Sequence, residues 1–107
     1  SGGQMQRVGI SRALAQNPQL ILADEPIASL DPASAKNVMD YMYKICREDN
    51  ITAIVNLHQV DVAKEYATRI IGIHAGKIVF DGPPEQLKDS VVDKIYYGKT
   101  PIIVGVN

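Results

Sequence analysis

Apolar side chains recur along this chain with two alternating rhythms. Met5, Val8, Ala13 and Leu14 fall at roughly helical spacing and Asn17-Pro18 follows as a stop, which predicts a helix over residues 4–16. Leu20-Ile21-Leu22-Ala23 is then an unbroken apolar run, the pattern of a short strand buried on both faces, and it ends in Asp24-Glu25-Pro26. Asp31-Pro32 reads as an N-cap followed by proline in the first helical turn. Val38, Tyr41, Met42 and Ile45 keep the i, i+3, i+4, i+7 spacing of a second helix that ends around Glu48. After the Asp49-Asn50 turn, Ile51 to Leu57 is rich in β-branched residues and predicts a second buried strand ending at His58. A short helix through Val62 and Ala63 leads to Ala67.

The rhythm then changes. Arg69 to His74 and Lys77 to Asp81 are strand-like runs joined at Ala75-Gly76, an antiparallel hairpin. Gly82-Pro83-Pro84 opens a helical turn, and Asp89 or Ser90 caps a final helix carrying Val91, Val92, Ile95 and Tyr96 and stopping near Gly98. Ile102-Ile103-Val104 has no predicted partner. Alternation of helix with buried strand predicts an α/β layered fold, with a mainly parallel sheet and an antiparallel hairpin towards the C-terminus. Ligands of such sheets bind beyond the carboxyl ends of the strands, where Asp24, Glu25 and His58 fall.

Composition narrows the partners. The 107 residues are 46% hydrophobic and 21% charged, enough for one domain or part of one. A formal charge of -1 gives no basic surplus for nucleic acid or anionic lipid. The single cysteine, Cys46, has no intramolecular partner, and no apolar stretch is long enough to span a membrane, which fits a reducing, cytosolic setting. Ser1 leads directly into Gly2-Gly3 with no element before it, and the expectation is a chain cut at its front.

Each candidate residue has a bland reading beside a chemical one. Ser1-Gly2-Gly3-Gln4 has the spacing of a helix capping box, and equally offers bare backbone N–H groups at a positive helix end, suited to phosphate oxygens. Asp24 reads as a strand-end turn former, Asp31 as a helix cap and His58 as a structural strand-end histidine. A carboxylate at the carboxyl edge of a sheet, such as Glu25, is also placed for general-base work.

The order of these groups decides between the readings. Ser1-Gly2-Gly3-Gln4 with Arg7, Arg12-Ala13-Leu14, the run ending in Asp24-Glu25-Pro26, Ser29-Leu30-Asp31-Pro32 and His58 together resemble the ABC ATPase family over about residues 1–87. The resemblance implies a P-loop NTPase-like fold and cofactors ATP and Mg2+. Asp24 would help hold the nucleotide's magnesium, and Glu25 would polarise the attacking water. His58 would contact the γ-phosphate and steady water and glutamate. Ser29, Leu30 and Asp31 match the D-loop at the dimer interface. Ser1, Gly2, Gly3 and Gln4 match the signature that binds nucleotide held on the opposite subunit, in trans. It further implies a head-to-tail dimer with a second ATPase subunit, integral membrane permease subunits, an indirectly linked substrate-binding protein, no nucleic acid, and a peripheral position on the cytoplasmic face of a bacterial cell membrane.

A phosphate-cradling loop of Gly, four residues, then Gly-Lys and Ser or Thr is absent from the sequence. Gly72-Ile73-His74-Ala75-Gly76-Lys77-Ile78 has three intervening residues and Ile78 in place of the hydroxyl, so it reads as a hairpin turn with Lys77 as a surface charge. The expectation is therefore the C-terminal portion of an ATPase domain, residues 1–107 running from the signature onward, weak or inactive towards ATP by itself. Val55-Asn56-Leu57-His58-Gln59-Val60-Asp61 and Gly76-Lys77-Ile78-Val79-Phe80-Asp81-Gly82-Pro83 look most like the phosphonate-importer ATPases, with Gln59 standing where an acidic residue is common. The alternatives are a soluble ABC-type ATPase of repair or translation, or an inactive piece acting as an interaction module.

Overall fold

The computed structural model describes residues 2–96 and 102–106. In chain order the elements are α1 (Gly2–Leu14), β1 (Leu20–Asp24), α2 (Pro32–Glu48), β2 (Thr52–Leu57), α3 (Val60–Tyr66), β3 (Arg69–His74), β4 (Lys77–Gly82), a 3-10 turn (Pro84–Gln86), α4 (Asp89–Tyr96) and β5 (Ile102–Val106). The elements predicted from apolar rhythm are all present, with α1 starting and ending about a turn's fraction earlier than residues 4–16. Asn17, at φ +56°, closes the turn after α1 in the left-handed region that asparagine tolerates. The predicted stop near Gly98 lies outside the described residues.

The strands form one sheet in the order β1-β2-β5-β3-β4. β1 and β2 are parallel, in a register that sets Ala23 beside Val55 and Asp24 beside Asn56. β5 is antiparallel to both β2 and β3, so β1, β2 and β3 point the same way while β5 fills the space between β2 and β3 in the opposite sense. The residues expected to lack a partner, 102–104, thus lie in a strand that is bonded on both sides. This shifts the balance of the α/β sheet from the mainly parallel ladders expected to antiparallel ones at β5 and in the hairpin. Apolar rhythm marks a strand but carries no information about its neighbours.

The core lies on one face. Val38, Met39, Met42 and Cys46 form a single stripe of α2, and they cluster with Ile21, Ala53, Val55, Leu57 and Ile70. Full burial of the valine, leucine, isoleucine and methionine side chains among them contributes about 1.5–3 kcal/mol each. The other face differs from the prediction of strands buried on both sides: Leu20, Leu22 and Ile54 are 48%, 72% and 40% exposed. The apolar run was read correctly as strand, but no described element covers that side.

The hairpin turns through Ala75 (φ +49°) and Gly76 (φ +76°), two successive left-handed residues as a two-residue hairpin of right-handed twist requires. A bulge interrupts the β3–β4 register, since Gly72 pairs with Phe80 while Ile73 pairs with Ile78. Over β3, α4 lies so close that a Cβ on Gly72 would come within 2.8 Å of Ile95 Cγ1.

Candidate active site

The parallel pairing of β1 with β2 brings the candidate residues together. β1 stops at Asp24, and the next N–H, that of Glu25, donates to the Asn56 carbonyl at 2.9 Å, carrying the ladder one step past the strand. Glu25 then turns at φ +48°, a left-handed conformation unusual for a glutamate. The turn swings its carboxylate across to the end of β2, where Glu25 Oε1 meets His58 Nε2. A carboxylate oxygen only accepts, so Nε2–H is the donor in this contact. The pair stays open to solvent, with side-chain exposures of 40% for Glu25 and 47% for His58. His58 N–H in turn donates to Gln59 Oε1 at 3.3 Å.

Asp24 is fixed by its register neighbour. Asn56 Nδ2 donates to Asp24 Oδ1 at 2.8 Å, leaving Oδ2 outside that bond. Asn56 Oδ1 is buried and has no hydrogen-bond partner among the described residues. A buried acceptor left in this way costs about 1–3 kcal/mol. Asn56 was passed over as a site residue in the sequence, where the only signal was an amide inside a mostly apolar strand.

The segment after Glu25 is a pair of tight turns. Ala28 N–H donates to Glu25 O and Leu30 N–H to Ile27 O, both at 3.2 Å, with Pro26 and Ile27 buried beneath and Ser29 left-handed at φ +66°. Asp31 follows in extended conformation and caps α2, its Oδ2 accepting from Ser34 N–H at 3.1 Å. Hydrogen bonds from the Ser34 side chain and then its N–H hold the Asp31 carboxyl below the usual range. The capping role predicted for Asp31 is therefore present.

Gly2, Gly3 and Gln4 form the first turn of α1, while Ser1 lies outside the described residues. The start of α1 sits against the beginning of α2. A Cβ on Gly2 would meet Leu30 Cδ2 at 2.8 Å, and one on Gly3 would meet Ser34 Cβ at 3.3 Å. The glycines thus also allow close approach of α1 to residues 30–34, a contact the sequence did not reveal. The structure brings Asp24, Glu25, Asn56 and His58 into one group, and sets Gly2 and Gly3 beside Leu30 and Ser34 instead.

One carboxylate with a free oxygen suits a metal that arrives with its own ligands. Mg2+ characteristically uses one or two carboxylates together with water and substrate phosphates. Among the described residues no group of three or more His, Cys, Asp or Glu side chains could hold a metal ion unaided. The donor set therefore fits a nucleotide-borne magnesium at Asp24. Cys46 is buried, and burial pushes its thiol up from the ordinary value.

The family described as ABC transporter matches residues 1–28. The chain is 67% identical over 96 residues to the phosphonates import ATP-binding protein PhnC 2 of Halalkalibacterium halodurans, covering 90% of this chain and 39% of that protein. Over this stretch it is similar to the ABC transporter ATP-binding proteins. PhnC of Thiobacillus denitrificans is 59% identical over the same length, covering 90% of this chain and 37% of that relative. Among solved structures, the ATP-binding cassette MJ0796, a dimer in a post-hydrolysis state bound to ADP and Pi, superposes with a TM-score of 0.67 at 40% identity, over 78% of this chain and 36% of that one. The chain thus spans less than two-fifths of the length of these ABC proteins, and its α/β fold is theirs over the shared part. No helix among the described residues is long and apolar enough to cross a membrane.

Proposed function

We propose that this chain is the C-terminal portion of the ATP-hydrolysing subunit of an ABC importer and supplies its general base. The observation that carries the reading is the contact of Glu25 with His58 at the carboxyl ends of two parallel strands, beside an Asp24 oriented by Asn56. ATP with its magnesium would supply the transferable phosphoryl group. Asp24 would hold the metal through Oδ2. Glu25, tied to His58 through Oε1, would keep Oε2 for the attacking water, and His58 would fix the glutamate's orientation. Asp31 would serve both as the cap seen here and as a D-loop residue of the dimer. Ser1, Gly2, Gly3 and Gln4 would bind nucleotide on the opposite subunit, which makes a second copy arranged head to tail the first partner.

The exposed Leu20, Leu22 and Ile54 support the reading of residues 1–107 as part of a larger domain, because relatives more than twice this long have further chain to cover that face. The phosphate-cradling loop would belong to that further chain, so the 107 residues alone are expected to bind ATP weakly and not to turn it over. The relatives are named for phosphonates import, which supports phosphonate or a related anion as cargo, permease subunits and a binding protein as partners, and attachment at the cytoplasmic face of a bacterial membrane.

The deciding experiment is Glu25→Gln in the complete subunit, with ATP binding and hydrolysis measured separately. Hydrolysis should fall by about 10²–10⁴-fold while binding persists, as removal of a general base predicts. Unchanged hydrolysis would reject the assignment.

A further inference from the structure

Asn56 is a side-chain partner of Asp24. The parallel register sets it directly beside Asp24, so the two side chains emerge on the same face of the sheet at adjacent strand ends. Its amide nitrogen must face Asp24, because the carboxylate offers only acceptors. The bond at 2.8 Å therefore fixes the direction of the whole amide and sends Oδ1 the other way, into a buried place where no described group donates to it. Inside a mostly apolar strand, an amide serving only to fill space would leave that acceptor cost uncompensated.

We infer that Asn56 is a positioning residue for Asp24: it ties Oδ1 and presents Oδ2 to the nucleotide's metal. This inference rests on the assignment of Asp24 as the metal-holding carboxylate. A neutral amide is suited to the task because it orients the carboxylate while leaving its full negative charge for the cation. A lysine or arginine here would pair with Asp24 and compete with magnesium. Groups hydrogen-bonded to metal-holding side chains matter for the metal, and their loss typically costs about 10–100-fold in metal affinity or activity.

The test uses the complete subunit in a Glu25→Gln background, so that nothing is turned over, and titrates Mg2+ against binding of a fluorescent ATP analogue. Asn56→Ala should raise the half-saturating Mg2+ concentration about 10-fold while leaving analogue affinity in excess EDTA unchanged. Replacing Mg2+ by Mn2+ and following the free ion by its paramagnetic resonance signal gives a second readout without nucleotide fluorescence. Where Asn56→Ala fails to fold, Asn56→Ser keeps a small polar side chain and is read the same way. A Mg2+ dependence identical to that of the parent protein overturns the inference, even if the melting temperature falls. Asp24→Asn separates the two levels of argument. If it weakens the Mg2+ dependence and Asn56→Ala does not, only the role of Asn56 fails. If neither variant changes it, the assignment of Asp24 fails too.

Discussion

Glu25 Oε1 and His58 Nε2 touch across the ends of two parallel strands, although 32 residues separate Asp24 from the Asn56 that stands beside it in the ladder. The contact depends on the left-handed turn at Glu25, which carries the carboxylate away from the line of β1. If the imidazole acts by orienting the glutamate, its removal should matter only while the glutamate can act as a base. His58→Ala in the complete subunit is expected to lower kcat by about 100-fold. Adding it to Glu25→Gln should lower kcat little further, because residues that act as a unit are non-additive. Fully additive losses in steady-state hydrolysis would show that the two residues work independently.

Tyr66 and Asp40 join α3 to α2 through a hydrogen bond from the phenol to Asp40 Oδ1. Tyr66 is 8% exposed, and Lys36 lies 3.3 Å from the other Asp40 oxygen. The Tyr66 bond, with Lys36 assisting, holds the Asp40 carboxyl below its ordinary 3.8. Stability from a depressed carboxyl is present above the unfolded value and is lost as pH falls from 3.8 through the folded one. Burial, then the bond to Asp40, pushes the phenol above its ordinary 10.0, so its contribution is complete below pH 10.0 and is lost as pH rises towards the folded value. Tyr66→Phe should therefore cost about 1 kcal/mol near neutrality and flatten both limbs of a plot of melting temperature against pH. Limbs of unchanged slope would assign the pH dependence to other groups.

How much of this was legible in the sequence depends on the range of the interaction. α2 was legible from local signals, since Asp31 caps it, Pro32 starts it and Val38, Tyr41, Met42 and Ile45 keep helical spacing, although of these four Val38 and Met42 are buried while Tyr41 and Ile45 stand half-buried at the margin. The strands were equally plain from Leu20-Ile21-Leu22-Ala23 and Ile51 to Leu57. Pairing is not local: nothing near residues 102–106 says that they enter between β2 and β3. The same limit hid the bond between Asn56 and Asp24, which exists only because the register aligns them. The exposure of Leu22 escaped for a different reason, because an apolar side chain shows that a face is fit to be covered and not that it is covered.

The hairpin turn allows a gain in stability. Ala75 adopts φ +49°, where its Cβ crowds the carbonyl, at a cost of about 1–2 kcal/mol for an L-residue. Asparagine tolerates this region and is preferred at the first position of such turns. Ala75 is exposed, so Ala75→Asn brings no packing penalty with it. It should raise stability by about 0.5–1 kcal/mol, read as a shift in urea midpoint at unchanged slope. A loss of stability would mean that the turn is not held as described.

The docking of α4 on β3 should fail in the opposite sense. Ile95 is fully buried, with Cγ1 and Cδ1 over Gly72, and Phe80 Cβ, from the register partner of Gly72, is 3.3 Å from where a Cβ on residue 72 would lie. A methyl group at this point has nowhere to go unless α4 lifts, and overpacking of this kind costs about 1–3 kcal/mol. Gly72→Ala is thus expected to destabilise the protein in denaturant unfolding even though alanine favours strand and helix alike over glycine. Shortening the opposing side chain should return part of the loss: Gly72→Ala with Ile95→Val ought to be more stable than the sum of the two single changes predicts, because the added methyl occupies the space the shorter residue vacates. Strict additivity would mean that Ile95 does not rest on Gly72, and that α4 is held to the sheet by its contacts elsewhere.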